Sequence, residues 1–246
     1  MLDLIKNKNS KKEAAKRRGE ITRKMTELSP NIKNSTITTI SNSDLKLLFE
    51  LYDRCFFKNV FRDSFKGKFK FSLSRRMTKS AGKTICPKNI DEINPEELVI
   101  EIRIGVDFFF QYGVVDGSKT VCGIKTQNSL EALQLIFEHE MCHVLEYLCF
   151  GKSNCSGERF KVIAGNFFGH SESYHKLPTY RQIAKQKLGL NIGDKVSFTF
   201  EGKKMSGILY NINKRATVMV RDKNGQYSDK KDTRYTKYYV PLSQFD

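Results

Sequence analysis

The longest regular pattern of apolar residues lies in the middle of the chain. Apolar side chains recur there at steps of three and four residues: Leu130, Leu133, Phe137, Met141, Val144, Leu145 and Leu148. This spacing places them on one face of an α-helix, so it predicts a mostly buried helix over about residues 129–149. The segment 151–154 contains Gly, Ser and Asn and is expected to break the helix. A second helix is predicted from about Ser156 to Phe168.

Shorter patterns before the central helix predict a mixed domain. Residues 44–52 have the composition of a helix capped by Ser43, and residues 68–73 alternate between polar and apolar side chains as a strand does. Residues 98–104 are apolar enough to lie inside a sheet. We therefore predict an α+β domain over residues 43–178.

The pattern changes again from about residue 190. Short alternating segments are predicted as strands at 196–200, 205–211, 216–220 and 235–240, and Asn224-Gly225 is typical of a tight hairpin turn. Several short strands within about 55 residues favour a small antiparallel β-barrel over residues 190–246.

Charge adds a third segment and a class of partner. Residues 1–42 are polar and basic, and we interpret them as an N-terminal arm and linker. The whole chain carries 43 Lys and Arg against 27 Asp and Glu, a net charge of +16. Such an excess favours nucleic acid as a partner, although a lysine-rich background composition is the alternative explanation. In the barrel segment, the basic residues are interleaved with tyrosines, a combination that suits phosphates and bases.

The chain has no feature of a secreted or membrane protein. No apolar run reaches the roughly 18–20 residues that cross a bilayer, and residues 1–8 lack the apolar core of a signal peptide. The six cysteines form no CxxC pair and are too sparse for a disulfide scaffold. We expect an intracellular protein, cytoplasmic or associated with the nucleoid or nucleus, that has no membrane partner.

The candidate chemistry lies on the central helix, in the run His139-Glu140-Met141-Cys142-His143. Histidines at positions i and i+4 share one helical face and can bind one Zn²⁺, and the glutamate after the first is placed to act as general base. The two remaining histidines, His170 and His175, follow within 32 residues of His143. This clustering favours a metal site over two histidines that merely pack in a core.

Several segments in order resemble the SprT-like (Spartan-type) metallopeptidases. They are Phe71–Thr84 with its Arg-Met and Ala-Gly pairs, the strand Glu101–Ile104, the helix with the two histidines, and Phe160-Lys161-Val162-Ile163-Ala164. The resemblance covers about residues 44–178. It implies a zincin-like fold, peptide hydrolysis that depends on Zn²⁺, and a role on proteins crosslinked to DNA. Residues 193–242 look like the small SH3-like barrel that some members carry.

The sequence departs from the family at the expected third metal ligand. The family has His-Gly-x-x-Phe at the start of the second helix, whereas this chain has Ser156-Gly157-Glu158-Arg159-Phe160. A serine hydroxyl is a poor zinc ligand, so another residue is needed. We favour His170, because an antiparallel second helix returns to the level of His139 at about 1.5 Å per residue. Cys155 and then Glu158 are the alternatives, and His175 is left for oxyanion stabilisation or for no role.

The sequence thus predicts a zinc metalloendopeptidase that acts on DNA-associated or DNA-crosslinked proteins. Its site is expected to comprise His139, His143 and His170 as metal ligands and Glu140 as general base. Residues 98–104 are expected to form an edge strand that aligns the substrate backbone. The alternative is a catalytically inactive nucleic-acid-binding adaptor that keeps the zincin fold. The absence of the usual third ligand, the positive charge and the barrel favour this alternative. DNA is preferred to RNA as the partner, and the oligomeric state stays open.

Overall fold

The structure, a computed structural model, describes residue 5 and residues 8–245. It divides into two compact units, Met1–Leu177 and Pro178–Asp246. Most of the N-terminal segment from which we argued against a signal peptide, and the first residues of the predicted arm, lie outside the described residues. The last residue of the predicted barrel does so as well.

The first unit combines helices with a small mixed sheet, as the sequence predicted. Its helices are α1 (Lys11–Leu28), α2 (Asn42–Phe57), α3 (Val60–Ser64), α4 (Asp107–Phe110), α5 (Ser129–Phe150) and α6 (Glu158–Phe168), with a 3₁₀ turn at Ile90–Glu92. Its strands are β1 (Lys68–Ser74), β2 (Gly82–Ile85), β3 (Val99–Gly105), β4 (Lys119–Val121) and β5 (Ile124–Thr126).

The main sheet has the order β1-β3-β2, with β1 parallel and β2 antiparallel to β3. The expectation that residues 98–104 form the edge is wrong, because β3 is the central strand. Ile100, Ile102 and Ile104 are fully buried, as expected of a strand with neighbours on both sides. The edge strand that contacts α5 is β2.

The N-terminal segment differs from the detached arm that its charge predicted. Ser10 caps α1 by accepting a hydrogen bond from the backbone N–H of Glu13, and the helix packs on α2, α5 and α6. Ala14, Ile21 and Met25 are buried on one face of the helix. They are seven and four residues apart, a helical spacing that the surrounding Lys and Arg obscure in the sequence. The basic residues cover the outer side of a helix that belongs to the first unit.

The second unit contains one helix and one antiparallel sheet. It comprises α7 (Tyr180–Leu188), β6 (Lys195–Phe200), β7 (Lys203–Ile212), β8 (Arg215–Arg221), β9 (Tyr227–Ser228), β10 (Arg234–Pro241) and a 3₁₀ turn at Leu242–Gln244. The strand order is β6-β7-β8-β10-β9. Within residues 178–245 no ladder joins β6 to β9 or β10, so the predicted closed SH3-like barrel is not confirmed.

Asn224-Gly225 is not the hairpin turn that the sequence predicted. The strand β8 before it pairs with β10, and the short β9 after it pairs with the opposite edge of β10. Gly225 lies against the backbone of Tyr235, where a Cβ atom would come within 2.3 Å of the carbonyl group. Glycine is therefore required by close backbone approach at this position.

Two findings bear on the environment of the chain. All six cysteines are free thiols, with Cys122 and Cys142 buried. None of the helices in the described part of the chain combines the length and the apolar character that crossing a bilayer demands.

Candidate metal centre

The helix α5 carries the two motif histidines on one face. Asn128 caps its start by accepting a hydrogen bond from the backbone N–H of Glu131, and Gly151 ends it with a φ of 67°. The Nε2 atoms of His139 and His143 lie 3.2 Å apart, and both rings pack against Phe160 of α6. The helical spacing thus brings both imidazoles to one point, as the sequence predicted.

Cys155 is the third residue at this point. A ligand atom from each of His139, His143 and Cys155 lies within 4.8 Å of the other two. Cys155 belongs to the loop between α5 and α6, two residues before Gly157, the N-cap of α6. The structure therefore groups the two histidines with a residue that the sequence offered only as the second choice.

A buried carboxylate on α5 orients both His143 and this loop. The Ser153 hydroxyl donates to Glu146 Oε2 at 2.6 Å, so it accepts from His143 Nδ1, also at 2.6 Å. The backbone N–H of Asn154 donates to the same Glu146 oxygen, and Arg159 Nε donates to Oε1. Glu146 thereby fixes the tautomer of His143 with Nε2 unprotonated, and it holds the loop that carries Cys155.

The other ring nitrogen of His139 lies against the thiol of Cys122. The Cys122 thiol donates to the carbonyl of Leu135 at 3.9 Å, and its sulfur lies 3.8 Å from His139 Nδ1. Burial, with a contribution from His143, lowers the pKa of His139 to about 3, and burial lowers that of His143 to about 4. Both rings are therefore neutral at pH 7, the form that ligates metal.

These atoms fit a zinc ion. Two imidazole nitrogens bound to one tetrahedral Zn²⁺ are about 3.3 Å apart, given Zn–N distances of roughly 2.0–2.1 Å. The observed separation of the Nε2 atoms is 3.2 Å. Imidazole nitrogens and cysteine thiolates are both zinc donors, and three protein ligands leave the fourth position open, as in catalytic zinc sites.

Glu140 lines a cleft together with His139 and is almost completely buried. Its Oε2 accepts a hydrogen bond of 2.8 Å from the Thr84 hydroxyl of β2. A Cβ atom on Gly82 would come within 2.5 Å of Glu140 Oε1, so only glycine allows β2 to approach this closely. Burial raises the pKa of Glu140 to about 7, against the opposing effect of the Thr84 hydrogen bond. The carboxyl group is thus poised to exchange a proton near neutral pH.

His170 lies away from this cluster, on another side of α5. Its Nε2 atom is 2.8 Å from Glu138 Oε2. Glu138 is fully buried and also accepts two hydrogen bonds from Arg18 of α1 and one from the Tyr52 hydroxyl of α2. Arg18 and His170 lower the pKa of Glu138 despite its burial. His170 therefore belongs to a polar network that joins α1, α2 and α5.

This network predicts a large effect of Arg18 on stability. Replacing Arg18 with Leu leaves a buried carboxylate without its cationic partner, which typically costs about 3–5 kcal/mol. We expect the free energy of unfolding in urea to fall by about this amount. The matched control is Arg23→Leu on the same helix, which removes the exposed Arg23–Glu27 pair and should cost under about 1 kcal/mol. Equal effects of the two substitutions would contradict this role for Arg18.

With this geometry established, comparison with protein families identifies the chain. The model of the SprT-like family matches residues 45–177, more than half of the sequence. The chain belongs to the SprT-like family. Comparisons with curated proteins and with solved structures find no match.

The SprT-like domain also contains residues that contact the two histidines, Glu140 or Glu138 and that the motif did not reveal. Glu146, Ser153 and Thr84 orient the proposed ligand and base, and Arg18 with Tyr52 supports the neighbouring Glu138. In the sequence, Glu138 and Glu146 stand out only as acidic residues on an otherwise apolar helix. His175 lines the cleft with His139 and Glu140 and packs against Phe108.

Proposed function

We propose that this SprT-like protein is a zinc-dependent endopeptidase and that its substrates are proteins associated with or crosslinked to DNA. One observation carries the peptidase proposal. Ligand atoms of His139, His143 and Cys155 lie within 4.8 Å of one another, and the buried Glu140 lines a cleft together with His139. The cleft that contains His139 and Glu140 has a volume of about 230 Å³ and opens to solvent.

The metal would be held by the two imidazole Nε2 atoms and the Cys155 thiolate. When bound, zinc supplies a Lewis acid that lowers the pKa of water and polarises a carbonyl group. Glu146, acting through Ser153, keeps His143 in the ligating tautomer.

Glu140 performs the proton transfers. As a carboxylate it takes a proton from the attacking water, and as a carboxylic acid it returns that proton to the amine that leaves. A pKa near the working pH allows both roles. Thr84 holds the carboxylate in one orientation between these two steps.

The strand β2 is placed to align the substrate. Within the described residues its outer edge pairs with no other strand, while Gly82 and Thr84 face Glu140. An extended peptide that pairs with β2 would lie across the cleft through main-chain hydrogen bonds. Such pairing reads little side-chain sequence, which suits an enzyme that acts on varied DNA-bound proteins. The net charge of +16 supports a nucleic-acid partner.

Zinc content tests the proposal. We expect about one zinc ion per chain after reconstitution, measured by elemental analysis, because the three ligands are preformed. His139→Ala should abolish this stoichiometry. His175→Ala changes a cleft histidine outside the group of three and should preserve it. Wild-type protein that retains no zinc would rule out the proposed metallopeptidase.

A further inference from the structure

The sheet of the second unit exposes aromatic and basic side chains on one face. Alternate residues of a strand point to opposite faces. Val218 of β8 pairs with Tyr238 of β10, and this face carries the buried apolar residues of the two strands. Tyr239 and Lys237 lie on the opposite face. Tyr239 is 63% exposed.

The two neighbouring tyrosines of β10 have different surroundings. Tyr238 packs against Phe198 and Phe200, so it belongs to the apolar side of the sheet. Tyr239 instead lines an open cleft of about 290 Å³. The other residues around this cleft are Asn224, Gln226, Tyr227, Thr236 and Lys237. Packing of the core therefore explains the position of Tyr238 but not the exposed ring of Tyr239.

The cleft combines three kinds of recognition group. The Lys237 ammonium lies 3.8 Å from the centroid of the Tyr227 ring, and this cation–π contact fixes the charge at the cleft. The Tyr239 ring offers a flat apolar surface, and the Asn224 and Gln226 side chains offer amide donors and acceptors. A stacking surface, a positive charge and polar amides together match a nucleotide.

The charge of the unit points to the same class of ligand. Residues 178–246 contain 14 Lys and Arg against 6 Asp and Glu. Several of the basic residues are exposed on the same sheet, including Lys195, Lys204, Arg215 and Arg221. A basic surface around an aromatic cleft is the arrangement with which single-stranded nucleic acids are bound.

We propose that this cleft binds one base and an adjacent phosphate of a single-stranded nucleic acid. Tyr239 stacks on the base, Lys237 contacts the phosphate, and the amides of Asn224 and Gln226 lie at the edge of the base. A duplex keeps its bases stacked on one another, so it cannot fill the cleft in this way. The inference rests on the proposed nucleic-acid partner and does not require peptidase activity.

Fluorescence anisotropy of the full-length protein with labelled oligonucleotides tests the stacking. Tyr239→Ala should weaken binding to single-stranded DNA or RNA about 5- to 150-fold, the effect of losing one base–aromatic stack. Tyr239→Phe keeps the ring and should bind like wild type. Tyr210→Ala is the matched control, because Tyr210 is 62% exposed on β7 and does not line the cleft. Equal losses in both alanine variants, or none in Tyr239→Ala, would overturn the proposal.

Salt dependence tests the phosphate contact separately. Lys237→Gln should reduce the slope of log affinity against log salt by about 0.7, the value for one contact on a single strand. Lys203→Gln, an exposed lysine of β7 outside the cleft, should leave the slope closer to wild type. Equal affinity for duplex and single strand would show binding by charge alone and would overturn the site. Zinc content and cleavage, measured in parallel, report independently on the proposed peptidase.

Discussion

Glu140→Gln should abolish peptide cleavage while leaving zinc bound. The amide is nearly the same size as the carboxyl group and can still accept the Thr84 hydrogen bond, so the side chain should keep its place. It cannot take a proton from water. General-base catalysis contributes roughly 10²–10⁴-fold, so we expect at least a loss of that order in the cleavage rate. Gel-based cleavage of a DNA-binding protein, with and without DNA, measures the rate.

The control for this substitution is Glu158→Gln. Glu158 is the first residue of α6, and its side chain is 83% exposed. It was also a candidate third ligand in the sequence, so the variant tests that alternative as well. We expect unchanged zinc content and unchanged cleavage. Cleavage at the wild-type rate by the Glu140→Gln protein would show that the activity comes from another base or from a contaminating protease.

Loss of a residue that only hydrogen-bonds to a metal ligand typically weakens metal binding roughly 10- to 100-fold. Cys155 is a proposed direct ligand, so Cys155→Ser should weaken zinc binding by more than this. A serine hydroxyl replaces the thiolate with a much poorer zinc donor. Competition with a chelator gives the affinity. Substitution with cobalt gives a second readout, because a thiolate–cobalt charge-transfer band should be present in wild type and absent in the variant.

His170→Ala should have the opposite profile. Zinc affinity should change little, because the His170 Nε2 atom is bonded to Glu138 rather than directed to the cluster. The free energy of unfolding should fall by at least about 1–3 kcal/mol, because the buried Glu138 carboxylate loses a hydrogen-bond partner. Loss of zinc in His170→Ala together with normal zinc in Cys155→Ser would show that the helices rearrange when metal binds.

The contrast between these two residues shows what sequence spacing can establish. The rise per residue predicted that the end of α6 returns to the level of residue 139, and His170 does reach the neighbouring Glu138. Successive residues of a helix are rotated by about 100°, however, so Glu138 and His139 face different directions. Spacing fixes the level along the helix, whereas packing decides which side an approaching residue meets.

The loop between α5 and α6 was unpredictable for a related reason. Its conformation depends on hydrogen bonds from Ser153, Asn154 and Arg159 to one buried carboxylate, Glu146. Such tertiary bonds leave no periodic pattern in the sequence. Periodicity, by contrast, correctly predicted α5, most of α6 and the paired strands β1 and β3. The motif histidines also meet as their helical spacing requires.

The position of α1 has a practical consequence for work on isolated domains. A fragment cut to the family match, residues 45–177, would lack Arg18, Ile21 and Met25. It would expose the apolar surfaces of α2 and α5 that α1 covers, and it would deprive Glu138 of its guanidinium partner next to the proposed ligand His139. We expect such a fragment to aggregate, so an inactive preparation would say nothing about the chemistry of the site. Fragments that begin at or before Asn9 keep the cap residue Ser10 and the whole of α1.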